Sequence, residues 1–111
     1  MDLDFDLPRA LLVFDELLSL SEEERKVYWL RYRRKDGIAL TLVVSVYDAD
    51  VTIIVHCDED RAAISSLHLT NCSTVRFLEN YTFEIVSRAG ARSAYRCFVA
   101  LNGETIVDLE S

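Results

Sequence analysis

The chain has 111 residues, of which 50% are hydrophobic and 28% charged, a composition typical of one folded domain and unlike that of a disordered chain. Apolar runs such as Ala10–Phe14 fall far short of the roughly 20 residues that cross a bilayer. The formal net charge is −7, which argues against a nucleic-acid partner because nonspecific affinity for nucleic acid comes mainly from positive fields.

The net charge is concentrated at the N-terminus. The first 24 residues hold eight acidic residues and one basic residue, Arg9, whereas the remaining 87 hold 11 of each. Such an uneven charge distribution affects how fast a charged partner associates and which partners are favoured, and it does not determine the fold. The acidic start differs from the basic start of a secretory signal, and the three cysteines show no paired spacing, so we expect a cytoplasmic protein without a disulfide framework.

A helix is predicted over residues 6–19. Asp6 is a good N-cap, and Pro8 lies in the first turn, where its missing N–H does no harm. Apolar residues then recur at spacings of three and four, at Leu7, Ala10, Leu11, Phe14, Leu17 and Leu18, which is typical of an amphipathic helix. Leu12 and Val13 lie off this stripe and indicate contact with a second surface. The Ser21–Glu24 segment has the form of a capping box and predicts a short turn over 21–25.

From Val27 onward the hydrophobic period changes to two, which predicts antiparallel strands across residues 26–109. The clearest strand is Ile38–Val46, and Asp36-Gly37 and Asn102-Gly103 are favoured hairpin turns. Seven other segments show similar alternation: Val27–Lys35, Val51–Cys57, Ala62–Leu69, Thr74–Glu79, Tyr81–Ser87, Ala94–Leu101 and Thr105–Leu109.

These elements predict a single α+β domain spanning residues 1–111. Eight strands side by side span about 34 Å, whereas a helix of about 12 residues is only about 18 Å long. One helix cannot cover such a sheet. We therefore predict an N-terminal amphipathic helix packed on a strongly curved antiparallel β-meander of about seven to eight strands, a partial barrel or sandwich. A homodimer that covers the remaining face is a second possibility.

The strand that begins at Val27 is a candidate binding surface. Alternation places Tyr28, Leu30 and Tyr32 on an apolar face and Trp29, Arg31, Arg33 and Lys35 on the opposite one. An aromatic ring beside guanidinium groups can stack on bases and neutralise phosphates, or it can contact an acidic partner. The structural alternative is that these basic residues protect a sheet edge or face the acidic helix of the same molecule.

Four acidic residues remain without a local structural role: Asp2, Asp4, Glu22 and Glu23. Asp6 and Glu24 are explained as capping residues, and Asp15 and Glu16 as the solvated side of the helix. We therefore predict that these four residues contact a protein partner, and a basic partner would complement their charge.

No catalytic, cofactor-binding or metal-binding residue is predicted. His56 and Cys57 point to opposite faces of a strand and cannot converge on one metal ion. A tight turn at Asp58–Asp60 would place His56 opposite Ala63 and His68 opposite about Val51, too far apart to chelate together. Hydrolase, zinc-protease and phosphate-loop motifs are absent from the sequence.

The sequence therefore favours a small cytoplasmic, non-enzymatic interaction protein, namely an inhibitor, an immunity-type protein or a regulatory subunit. It would bind a protein partner through the acidic N-terminal surface, because a segregated charge speeds association. One alternative is a small-ligand module with an apolar cavity between helix and sheet. Another is a nucleic-acid or phosphate binder that uses the face of Trp29, Arg31, Arg33 and Lys35.

Overall fold

The computed structural model describes residues 3–21, 26–57, 63–88, 94–103 and 106–110. These residues form one short helix and ten strands. In chain order the elements are β1 (Asp4–Phe5), α1 (Leu7–Val13), β2 (Glu16–Ser21), β3 (Val27–Arg33), β4 (Ile38–Ser45), β5 (Asp50–Cys57), β6 (Ala63–Leu69), β7 (Cys72–Phe77), β8 (Thr82–Ser87), β9 (Arg96–Ala100) and β10 (Val107–Glu110).

The strands form two five-stranded sheets whose inner faces share one hydrophobic core. Sheet A has the order β1-β7-β8-β9-β10, and sheet B has the order β2-β3-β4-β5-β6. The prediction of an antiparallel meander is confirmed for β2 to β6 in sheet B and for β7 to β10 in sheet A. The α+β class is wrong, because strands dominate the fold. The meander divides into two sheets, which agrees with the sandwich among the predicted alternatives and not with a partial barrel.

The helix predicted over 6–19 is wrong in its second half. Asp6 is the N-cap and accepts a hydrogen bond from Arg9 N at 3.2 Å, as predicted, but α1 ends at Val13 with Phe14 in an extended conformation. The chain then forms β2, which pairs antiparallel with β3. Leucine-rich segments are compatible with both structures, and here the backbone partners offered by the edge of β3 override helix propensity.

The turn predicted over 21–25 falls mostly outside the described residues, and Ser21 is the last residue of β2. All eight predicted strands from Val27 onward are present, with ends shifted by zero to two residues. The chain leaves sheet B after β6 and enters sheet A through Asn71, which has a positive φ of 53° that asparagine tolerates better than most residues.

β1 gives sheet A its one parallel pairing, because Asp4 lies opposite Thr74 and Phe5 opposite Val75. Sheet A is therefore built from both ends of the described chain, whereas sheet B is one continuous segment. No helix among the described residues is long and apolar enough to span a membrane.

Aromatic rings join the two sheets in the core. The ring centroids of Phe14 and Phe83 are 5.9 Å apart, those of Phe83 and Phe77 are 5.7 Å apart, and those of Phe5 and Tyr28 are also 5.7 Å apart. Tilted ring pairs at such distances add to the free energy gained from burying apolar area. Phe14 and Ala10 are buried, so the short helix contributes its inner side to this core.

The three cysteines differ in exposure. Cys72 and Cys97 are buried, whereas Cys57 is exposed at the end of β5. Burial raises the pKa of the Cys72 thiol and raises that of Cys97 to about 11. Both buried thiols therefore stay protonated near neutral pH, and the thiolate is the reactive form.

We expect iodoacetamide to alkylate Cys57 alone in the native protein near pH 8, and all three cysteines after unfolding. Mass spectrometry of the intact chain would count the added groups. The Cys57→Ser variant should then remain unmodified until it is unfolded. Rapid native alkylation of that variant would contradict the burial of Cys72 and Cys97.

Candidate interaction surfaces

The predicted acidic surface is described only at Asp4, because Asp2, Glu22 and Glu23 lie outside the described residues. The Asp4 side chain is exposed at the edge of sheet A. It lines an open groove of about 510 Å³ that runs along β7; the other lining residues are Asp6, Arg9, Ser73, Thr74, Val75, Arg76 and Phe77. The groove therefore combines two carboxylates with two guanidinium groups.

α1 places an apolar patch close to this acidic segment. Leu12 is 83% exposed and Leu11 46% exposed, whereas Ala10 on the other side of the helix is fully buried. The sequence placed Leu12 outside the core-facing stripe, and the structure agrees. The same pattern is wrong for Leu11, which it placed on the stripe, and for Val13, which it placed off the stripe but which packs against the core. Exposed leucines on a short helix between acidic residues form an apolar anchor with an acidic surround, which is a common composition for a contact surface.

The other acidic residues of the N-terminal segment have structural partners. The Asp15 carboxylate accepts a hydrogen bond from Arg33 N at 2.6 Å, and the Glu16 carboxylate lies 2.5 Å from the Arg33 guanidinium. The prediction that Asp15 and Glu16 form the solvated side of a helix is therefore wrong. They hold the end of β3 within the same molecule, but from the chain after α1 and from β2 and not from a helix as the structural alternative had it.

β3 carries three of its four predicted site residues on one face. By register, Trp29 lies opposite Val43, Arg31 opposite Thr41 and Arg33 opposite Ala39, all on the outer face of sheet B. Trp29 is 39% exposed. Lys35 does not share this face, because β3 ends at Arg33 and Lys35 lies in the turn to β4.

Arg31 is the least satisfied member of this face. Its Nε atom is buried and makes no hydrogen bond within the described part of the chain. Beside it, the buried Thr41 hydroxyl and His56 Nε2 are 2.9 Å apart and satisfy each other. A buried donor without a hydrogen-bond partner costs free energy. A binding partner that placed an acceptor next to Arg31 Nε would recover part of this cost.

A second open groove, of about 580 Å³, lies where the β3–β4 turn meets the tips of sheet A. Its lining residues are Tyr32, Arg33, Arg34, Lys35, Asp36, Tyr81 and Asn102. Sequence analysis placed Arg33 and Lys35 on one face of a strand and did not predict that they line a groove together with Arg34.

Arg34 joins the two sheets at this groove. Its Nη1 donates to Leu101 O and Gly103 O at 2.8 Å each, and its Nε donates to Asp36 Oδ2 at 3.1 Å. The hydrogen bond from Arg34 lowers the pKa of the Asp36 carboxyl, so this carboxylate is ionised at neutral pH. Sequence analysis did not single out Arg34 and missed its structural role.

Sheet A carries a charged cluster on its outer face that sequence analysis also missed. Glu84 is only 2% exposed. It accepts a hydrogen bond from Arg96 Nε at 3.0 Å, and the Arg76 guanidinium lies 3.7 Å from its other oxygen. Arg96 in turn stacks over the Phe98 ring, 5.2 Å from the centroid. The buried Glu84 carboxylate thus has two guanidinium partners, Arg76 and Arg96, which indicates a structural role.

The histidines are arranged much as predicted. His56 pairs with Ala63 in the sheet, and His68 pairs with Thr52, one residue from the predicted position. Thr52 Oγ1 and His68 Nδ1 are 2.7 Å apart. Among the described residues, no group of three or more metal-ligating side chains comes together.

No protein-family model matches the chain, and no curated protein matches it. The fold is similar to a chain of the solved contact-dependent growth inhibition toxin–immunity protein complex from Klebsiella pneumoniae 342. The TM-score is 0.73 over 99% of this chain and 96% of that chain, at 13% sequence identity. At this identity the likeness shows a shared fold.

Proposed function

We propose that this chain is a non-enzymatic, immunity-type protein that binds and inhibits a protein toxin in the cytoplasm. The observation that carries the proposal is the end-to-end likeness to a chain of a toxin–immunity protein complex. The absence of catalytic motifs from the sequence and the segregated charge are compatible with such a role.

We propose that the contact surface is the acidic N-terminal segment together with the exposed leucines of α1. Asp4 and Leu12 are both exposed, and Asp2, Glu22 and Glu23 add to the negative charge of this segment. A basic partner with an apolar socket complements such a surface. Carboxylates would steer the encounter, and Leu12 would supply the buried anchor that slows dissociation.

The test begins with capture of a partner by the tagged chain from native lysate at low and high salt. The captured protein should arrest cell growth when it is expressed alone, and co-expression of this chain should restore growth. A captured protein that is harmless on its own would contradict the immunity-type role.

The acidic surface is tested with a variant that replaces Asp2 and Asp4 with Asn and Glu22 and Glu23 with Gln. We expect its affinity for the captured protein to fall about tenfold or more at low salt, mainly through slower association. The matched control makes the same neutral replacements at Asp58, Asp60, Glu79 and Asp108, so that the net charge changes equally. Equal losses in both variants would overturn the surface assignment while leaving the inhibitory role intact.

The apolar anchor is tested with Leu12→Ser, for which we expect faster dissociation from the captured protein. The matched control is Ile64→Ser, since Ile64 is also largely exposed but lies on sheet B. An unchanged dissociation rate in Leu12→Ser would exclude α1 from the interface.

A further inference from the structure

The outer face of sheet B carries a cation that has no partner in the described part of the chain. Arg31 is half-buried, and it makes no hydrogen bond or ion pair with any other described residue. Glu16 lies opposite Arg31 on β2 but is paired with Arg33, and Lys35 lies beyond the end of β3. One unpaired cation is too few for the several phosphates of a nucleic acid. It favours a protein carboxylate, which would also offer an acceptor to the buried Arg31 Nε.

The same face carries a carboxylate that has no close cation among the described residues. The Asp50 side chain is 33% exposed, and its ion-pair contact within the described ranges is with His68 Nε2, at 4.0 Å. This distance is too long for a hydrogen bond. Arg31 and Asp50 are therefore both available for contacts with a second molecule.

The strand register places these two charges symmetrically about Val43, in the middle strand β4. Arg31 lies opposite Thr41, two residues before Val43. Asp50 lies opposite Ser45, two residues after Val43. Because β3 and β5 flank β4, each charged residue is one strand and two residues away from Val43, about 8 Å in opposite directions. The two charges of one chain are thus about 17 Å apart, too far for an ion pair with each other.

The centre of this face is apolar. Trp29 lies opposite Val43 and is 39% exposed. Val43 and Ile54, which alternation places on the same face, are half-buried. Tryptophan and arginine near the centre of a contact surface are among the residues that most often dominate its binding free energy. The face therefore combines an apolar centre with one positive and one negative corner.

We propose that the outer face of sheet B binds the same face of a second copy of this chain. A two-fold axis that lies between the two faces, passes over Val43 and runs perpendicular to the line from Arg31 to Asp50 brings each Arg31 to Asp50 of the other copy. The same axis places the two Trp29 rings near the centre of the contact. Such a contact is isologous and closes on itself as a dimer. It does not use the acidic N-terminal segment or α1 and does not depend on the proposed toxin partner.

The charge and size of the face are compatible with a dimer. Its ionised side chains, Glu16, Arg31, Arg33 and Asp50, sum to zero, so the net charge of −7 is carried elsewhere. Strands of seven or eight residues are about 25 Å long, and five strands span about 19 Å. The projected area is therefore roughly 480 Å², and side-chain relief makes the accessible area larger. Because a standard interface buries about 800 Å² per partner, we expect a weak dimer with a Kd in the micromolar range.

The test is sedimentation equilibrium of the intact protein at physiological ionic strength, from about 1 µM to about 1 mM, with tryptophan fluorescence measured over the same range. We expect the mass to rise from 12.7 kDa towards twice that value. Trp29 is the sole tryptophan in the sequence, so its emission should shift to shorter wavelength as the dimer forms and excludes water from the ring. A protein that stays monomeric throughout would overturn the proposal. A dimer whose emission does not shift would overturn the assignment of the contact to sheet B.

Charge reversal tests the contact between Arg31 and Asp50. Arg31→Asp alone and Asp50→Arg alone each place like charges together twice per dimer, so we expect dimer affinity to fall about tenfold or more. The two substitutions combined should restore most of the affinity. Because the two residues of one chain are too far apart to pair, such recovery requires contact between copies.

The matched control is Lys35→Asp, which makes the same charge change as Arg31→Asp but lies off this face. We expect its dimer affinity to remain unchanged, and circular dichroism would show that each variant is folded. A loss in Lys35→Asp equal to that in Arg31→Asp would overturn the proposal, because net charge would then account for both. A folded double variant that fails to recover affinity would overturn the pairing of Arg31 with Asp50.

Discussion

Replacing Phe83 with alanine is expected to lower the free energy of unfolding by about 3–5 kcal/mol, the usual cost of deleting a buried aromatic ring. Phe83 is fully buried in β8, and its ring packs against both Phe14 and Phe77. The deletion therefore leaves a cavity between α1 and sheet A. Urea unfolding followed by far-ultraviolet circular dichroism would measure the change.

The control for this substitution is Leu12→Ala. Leu12 is 83% exposed, so we expect its free energy of unfolding to remain within about 0.5 kcal/mol of the unmodified protein. A loss in Phe83→Ala no larger than that in Leu12→Ala would show that the helix and the sheets do not share the core described above.

The second large effect is expected for Arg34→Ala. Its side chain is only 14% exposed and donates to the carbonyl oxygens of Leu101 and Gly103, which belong to the other sheet's turn. Hydrogen bonds to a charged group contribute about 1.5–3 kcal/mol each. Because both bonds come from the same nitrogen atom, Arg34 Nη1, their contributions do not add fully, and losing both should lower the free energy of unfolding by about 2–4 kcal/mol. Differential scanning calorimetry should show a midpoint lowered by roughly 10 °C or more.

Arg34→Lys separates geometry from charge. Lysine keeps the positive charge but lacks the planar guanidinium, whose Nη1 donates to both carbonyl oxygens while its Nε and Nη2 face Asp36, so we expect most of the loss to remain. Recovery of full stability in Arg34→Lys would mean that charge near Asp36, rather than the link between the sheets, accounts for the effect.

The strands were predictable because period-two alternation is a local signal. In β9, for example, Cys97 and Val99 are buried and the residues beside them are not, and tight turns at Asp36-Gly37 or Asn80 mark strand ends. The division into two sheets was not predictable in this way. It depends on the corner at Asn71 and on the distant pairing of Asp4 with Thr74, and neither leaves a mark in the local pattern.

The end of the helix shows where local periodicity is ambiguous. Phe14 and Leu17 satisfy a helical spacing, yet Phe14 is buried as an extended cap and Leu17 packs on the core from β2. A spacing of three is compatible with both structures when the chain bends between the residues. The competing partner, the free edge of β3, lies ten or more residues further along the chain.

The candidate sites were partly predictable. Alternation placed Trp29, Arg31 and Arg33 on one face of β3. It wrongly extended the strand to Lys35, which lies in the turn between β3 and β4. The groove that Lys35 lines depends on Tyr81, which is 46 residues away in sequence. Likewise, the contact between Glu84 and Arg96 follows from the register of β8 and β9, which composition and spacing leave open.

The positions of β1 and β10 determine how this protein can be tethered in binding experiments. They are the two opposite edges of sheet A, four strand spacings or about 19 Å apart. A tether attached after β10 leaves β1 and α1 facing solution, whereas one attached before β1 shields them. Both attachment points lie on sheet A, so either orientation leaves the outer face of sheet B, with Trp29 and Arg31, open to a second molecule.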